Sequence, residues 1–255
     1  MTAIATIDGV AARVTSRVTA AVRDAAARTG VDFAYLMAQA RVESGLNPTV
    51  KATTSSARGL YQFTTSTWLD TVRRHGAEHG LGWAADALAS GAAKAGSAAR
   101  ATILSLRDNA EAAALMAGEF AAENGAILEK KLGRAMGATD LYMAHFLGVG
   151  GATRFLGALA VTPGTAAATL LPAAAAANRG VFFGRDGAAR SVSEVYARFA
   201  AKLGGADEPL TPLTARAVSG PLPPEERGSD VPLSGKSLPL SQARLAYMLL
   251  AELGG

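Results

Sequence analysis

The run Ala40-Arg41-Val42-Glu43-Ser44-Gly45-Leu46-Asn47-Pro48 ends a helical pattern on a carboxylate. Counting back at helical spacing, Ala40, Met37, Leu36 and Phe33 share a stripe with Glu43. Two readings compete there. A glutamate at a helix end can simply reach solvent, as most do. A glutamate kept on the apolar stripe is costly to ionise and holds its proton more readily, which is the state a general acid needs.

Working outward, Gly45 and Asn47-Pro48 stop the helix. A polar stretch, Thr53 to Arg58, leads into Gly59-Leu60-Tyr61-Gln62-Phe63 and a second helix capped by Thr64 or Thr65. Gly59 allows a positive φ or a close backbone approach. Tyr61 and Gln62 place an aromatic face and an amide near the loop's end, the groups that a sugar ring with an N-acetyl substituent uses.

With these residues in place, the sequence resembles the soluble (SLT-type) lytic transglycosylases, which share the goose-type lysozyme fold. Their Glu-Ser pair at a helix end is matched by Glu43-Ser44. Their Gly-Leu-Met-Gln segment is matched by Gly59-Leu60-Tyr61-Gln62, with Tyr61 in place of Met. Their Ala-Tyr-Asn-Ala-Gly segment has its counterpart in Ala144-His145-Phe146-Leu147-Gly148, which keeps only the first and last residues and suggests a subgroup with His-Phe-Leu-Gly. No asparagine role passes to Phe146, whose side chain cannot hydrogen-bond. Tyr196 is the candidate for the family's lone tyrosine in a later helix. The resemblance spans residues 30 to 200.

The resemblance implies an all-α, lysozyme-like fold and peptidoglycan glycan strands as substrate. Ordinary glycosidases need two carboxylates, and only Glu43 is well placed. One acid suffices when the substrate supplies its own nucleophile. In the family, the muramic-acid 6-hydroxyl attacks its own anomeric carbon, cleaving the β-1,4 bond to N-acetylglucosamine and leaving a 1,6-anhydro sugar. Glu43 would then be general acid and base, with Ser44, Tyr61, Gln62, His145 and Tyr196 contacting substrate and no metal or cofactor required. A muramidase that uses water, and a wall-binding module that no longer cuts, are the alternatives. His145 also reads as a histidine lining the groove or the core, and Tyr196 as a core tyrosine.

Proline usage divides the chain: three of ten prolines precede residue 205 and seven follow it. Residues 1–204 are expected to form the lysozyme-like domain. Residues 205–255 read as a Pro-rich, mostly disordered tail that recovers helical character from Ser241 to Leu253. The domain holds 21 basic and 15 acidic residues, the tail four and six. A modestly basic body suits an anionic polymer, but no basic stripe interleaved with aromatics points to nucleic acid. The chain has no cysteine, so disulfides and thiolate-bound metals are excluded. The sequence shows no stretch approaching the ~20 apolar residues of a membrane span and no recognisable secretory signal. The substrate nevertheless calls for a periplasmic or secreted protein. The tail is therefore read as a tether whose last helix docks on the domain or on a partner such as secretion or flagellar machinery.

Helices are expected almost throughout. Ile7, Val10, Val14, Val18 and Val22 form the stripe of an opening helix. Helices are also expected over Val31 to Glu43, Ser66 to His75, Asn109 to Asn124 and Thr139 to Phe146. Gly80 to Arg100 reads as a loose helix or a loop, and Asn178 to Gly187 as a loop or short hairpin. Ser191-Val192-Ser193-Glu194 is a capping box opening the helix of Tyr196. Glu119 is a second carboxylate on an apolar face, read as a core-edge glutamate paired with an arginine. His75 and His79 are four apart, but Gly76 breaks the helix between them and no third ligand is in view, so zinc is not expected.

Overall fold

The structure, a computed structural model, describes residues 2–204 except residue 54, with side-chain surroundings from residue 12 onward. The tail and its expected helix at 241–253 lie outside the described residues. Among those residues the regular elements are helices: α1 (Thr2–Thr29), α2 (Phe33–Ser44), α3 (Thr65–His75), α4 (Gly82–Ala89), α5 (Ala98–Ser105), α6 (Ala110–Leu132), α7 (Ala138–Val161), α8 (Ala167–Leu170), α9 (Pro172–Ala177), α10 (Arg179–Phe182) and α11 (Val192–Lys202). Extended backbone is confined to isolated bridges, such as Arg58 with Phe63 and Phe183 with Ala189.

Helix α6 is the spine. It packs against α1, α7, α3 and α2, and its unbroken run of buried residues from Ala112 to Gly118 shows contact on nearly every face. Its cap is the expected one, with Asn109 Oδ1 accepting from the Ala112 amide at 2.9 Å. The helix continues two turns past Asn124-Gly125, where the polar residue and the glycine suggested an end. Both residues are buried instead. A Cβ at Gly125 would come within 3.1 Å of Leu141 Cδ2, so the glycine serves the close approach of α7.

On α1, Val18, Ala21, Val22 and Ala25 are buried. Val14, expected on the same stripe, is 38 % exposed, so among the side chains described the first buried one on α1 is Val18.

Helix α2 follows the sequence pattern closely. Asp32 caps it by accepting from the Tyr35 amide, and Leu36, Met37, Ala40 and Glu43 are all buried. Gly45 ends it in the left-handed conformation, φ 59°. The Gly45 amide bonds the Arg41 carbonyl and the Leu46 amide reaches the Ala40 carbonyl, which together satisfy the helix's last acceptors.

Helix α7 departs most from expectation. It starts near Thr139 as expected, but only Gly148 (φ 71°, ψ 156°) leaves helical geometry, so the chain kinks there and continues helically to Val161. The start is fixed by Asp140, which is 1 % exposed. Asp140 takes the Gly137 amide at 3.0 Å and a bidentate pair from Arg134 at 2.6 and 3.0 Å. Over its full length α7 is long and apolar enough to cross a membrane, a feature hidden when the helix is expected to stop at Phe146. Its first half is a core helix, with residues 138–144 all buried, Asp140 among them.

The loop between α2 and α3 is nailed down by the 3-10 turn Leu106–Asp108 that follows α5. The buried Arg107 donates to the carbonyls of Ser56 (2.6 Å), Phe63 (3.1 Å) and Leu104 (3.0 Å). Arg58 forms a bidentate pair with Asp108 beside it. Gly59 (φ +83°) passes so close that a Cβ there would lie 1.9 Å from the Arg107 carbonyl oxygen.

Gly59→Ala is therefore expected to cost about 3 kcal/mol or more, combining a strained φ with a backbone clash. In a domain of this size that is a Tm loss of roughly 6–12 °C in a circular-dichroism melt. Gly91 shares the positive φ but has open space around it. Gly91→Ala should lose only about 1–2 kcal/mol, and equal losses for the two variants would rule out the close approach as the cause.

Candidate active site

Glu43 lies one residue before the end of α2 with its side chain 2 % exposed. Both groups that hold it come from α7. The Tyr142 hydroxyl donates to Oε1 at 3.0 Å, and His145 Nε2 lies 3.2 Å from the same oxygen. Tyr142 and His145 are three residues apart, which puts them on one helix face, and their ring centroids are 5.6 Å apart. Phe199 of α11 packs on Tyr142 at 5.6 Å and on Phe146 at 4.9 Å, backing the pair from behind.

The electrostatics follow from the burial. Desolvation pushes the phenol of Tyr142 well above its ordinary range, and the neighbouring Glu43 charge adds to the shift. Tyr142 is thus a neutral donor under any physiological condition. Tyr35 is raised by burial, then by Tyr61 and by Glu43. Lys202, at the end of α11, is lowered by burial and by Arg198, while the Glu43 charge pulls it back up. Gln39, one turn before Glu43, is buried with its Oε1 lacking a protein partner. It lines a small cavity with Tyr35, Tyr61, Phe63, Asn124 and His145.

Of the residues singled out in the sequence, His145 joins Glu43. The other four are placed differently. Ser44 donates its hydroxyl to the Ala40 carbonyl at 3.0 Å, back along its own helix. Tyr61 is 1 % exposed and bonds the Leu36 carbonyl at 3.2 Å, so its ring is packed in the core and meets only the small cavity beside Gln39 and His145. Gln62 sits at φ 47° and spends its amide on the carbonyls of Gly59 (2.7 Å) and Val50 (3.1 Å), so it holds the loop together. Tyr196 bonds Asp140 Oδ1 at 3.2 Å, at the start of α7. The tyrosine that reaches the carboxylate is Tyr142. Sequence reasoning passed over it, although its spacing of three from His145 was visible. Gln39 and Tyr35 were legible as well, four and eight residues before Glu43.

Residues 20–86 match the family model described as the transglycosylase SLT domain. That stretch is similar to an SLT domain. The matched segment contains Glu43-Ser44 and Gly59 to Gln62 but ends before α6, so Tyr142 and His145 come from the part beyond it. The all-helical architecture is that of the lysozyme-like SLT fold, and the match supports an enzyme role on cell-wall peptidoglycan.

Burial of three phenols has a measurable consequence. Tyr35, Tyr61 and Tyr142 are raised above 10 in the folded state, each chiefly by desolvation. A group that keeps its proton only when folded stabilises the SLT domain below its unfolded pKa and destabilises it progressively above. Each should withdraw about 1.4 kcal/mol per pH unit beyond pH 10. Spectrophotometric titration should therefore show these three ionising together with unfolding, in one steep alkaline step. A smooth titration of all tyrosines near pH 10 with the fold intact would contradict their burial.

Proposed function

We propose that the protein is a peptidoglycan lytic transglycosylase in which Glu43 is the single acid and base. The observation that carries this reading is the pairing at Glu43: its partners are a phenol and an imidazole, not a second carboxylate. Such a site can give and retake one proton but offers no carboxylate nucleophile.

With Tyr142 and His145 both directed at Oε1, Oε2 is the oxygen left to face substrate. Glu43 protonates the glycosidic oxygen between N-acetylmuramic acid and N-acetylglucosamine, and the anomeric C1–O bond breaks. The Tyr142 hydroxyl and a His145 carrying its proton on Nε2 stabilise the carboxylate formed at that moment. Glu43 then takes the proton of the muramyl 6-hydroxyl as that oxygen bonds C1, closing the 1,6-anhydro ring and restoring the acid. No water is consumed. Gln62 and Arg107 hold the loop beside α2, and Tyr196 supports the start of α7 through Asp140. The substrate class places the working location outside the cytoplasm.

Digestion of purified sacculi followed by mass spectrometry should yield anhydro-muropeptides. Reducing ends in their place would mean that water attacks and that the chain is a muramidase. Binding without release of fragments would mean a non-catalytic wall module. Glu43→Gln should abolish release, since an amide cannot donate and retake the proton. Tyr142→Phe and His145→Gln should each lower kcat by about 10- to 100-fold, with KM little changed because neither partner faces the sugar.

A further inference from the structure

Outside the Glu43 cluster, the chain brings two imidazoles and two carboxylates together where α3 and the 3-10 turn Gly76–His79 meet α6. His79 Nε2 lies 2.6 Å from Glu119 Oε1, and His75 Nδ1 lies 3.5 Å from Glu119 Oε2. Donor atoms of Glu78, His79 and Glu119 all fall within 4.8 Å of one another. The third ligand missing from the sequence view is thus Glu119, 40 residues beyond His79. It pairs with histidines, not with the arginine expected for it.

We propose that His79, Glu119 and Glu78, with His75 beside them on Glu119, form a binding site for a zinc-like divalent cation. The convergent donors are one imidazole nitrogen and two carboxylates, and the imidazole favours a borderline metal over magnesium or calcium. Donors around one tetrahedral zinc stand about 3.4 Å apart, given metal–ligand bonds of roughly 2.0–2.2 Å. The separations here need only small side-chain adjustments to reach that. Two carboxylates also balance a divalent charge. His75 extends the network outward from Glu119: its Nε2 lies 3.4 Å from Glu123 Oε2, and Glu123 is itself paired with Arg74.

A second observation is independent of this convergence. The His79 side chain is 5 % exposed, yet its Nδ1 has no hydrogen-bond partner in the protein. A buried ring nitrogen without a partner costs free energy. The protein's own groups thus satisfy only the Nε2 edge of this imidazole, through Glu119, and a bare ring nitrogen is a ready Lewis base for a cation. A cation there would fasten the end of α3 and the turn to the middle of α6.

The test uses the full chain, stripped with EDTA, dialysed and titrated with ZnCl2 by calorimetry. One equivalent should bind with a Kd in the micromolar range or tighter. The Tm should rise by several degrees with zinc in excess and not with magnesium. His79→Gln and Glu119→Gln should each weaken zinc binding at least tenfold while sacculus digestion persists, since neither residue contacts Glu43. Co2+ loaded into the wild-type chain should show intense visible d–d bands distinct from those of the aqueous ion. Absence of saturable zinc binding by the folded wild type overturns the proposal. So does wild-type affinity in folded His79→Gln and Glu119→Gln chains, because the ion would then sit elsewhere. If those variants do not fold, the wild-type Co2+ spectrum decides: the aqueous spectrum rejects the site.

Discussion

A carboxylate almost fully removed from water must be met by donors, and this demand at Glu43 ties the domain together. The donors stand 99 and 102 residues further along the chain, on one face of α7. Their position depends on where α7 begins, which Asp140 sets through Arg134 and the Gly137 amide. It depends also on α11, whose Phe199 closes the space behind Tyr142 and Phe146. The spine α6 supports both partners, packing on α2 and on α7. The geometry of one oxygen atom thus reports on four helices.

The loop after α2 is organised by a different principle. Its polar groups are satisfied largely by side chains that turn inward: Gln62 on Val50 and Gly59, and Arg107 on Ser56, Phe63 and Leu104. Burial pushes the Arg107 guanidinium below its ordinary range, and the neighbouring Arg58 charge adds to the shift. Residues that look like ligands for a sugar in the linear sequence are here the fasteners of the wall beside the carboxylate.

That contrast explains what the sequence disclosed. Features decided within a turn or two were legible: the stripe of Glu43, the Gly45 terminus, the caps Thr64 and Asn109, and the Ser191-Glu194 box, which forms as read. Helix lengths were not, where tertiary packing carried a helix past its expected end, as at Asn124-Gly125 and beyond Phe146. Within the site, Glu43 and His145 could be named, but their meeting could not be derived from spacing. Tyr142 was hidden because an apolar helix offers many tyrosine-like core positions and only the fold selects one. Glu119 drew attention as a carboxylate on an apolar face, yet its histidine partners lie on the far side of a helix break and two intervening helices.

The kink at Gly148 has a bearing on how this family of sequences can vary. In a continuous helix, inserting or deleting one residue rotates everything beyond it by about 100°. Here the helical phase is reset three residues after His145, where Gly148 leaves the regular geometry. The second half of α7 can therefore change length without turning His145 or Tyr142 away from Glu43. The kink acts as a phase buffer, letting the outer, more exposed half of the helix evolve independently of the half that carries the chemistry.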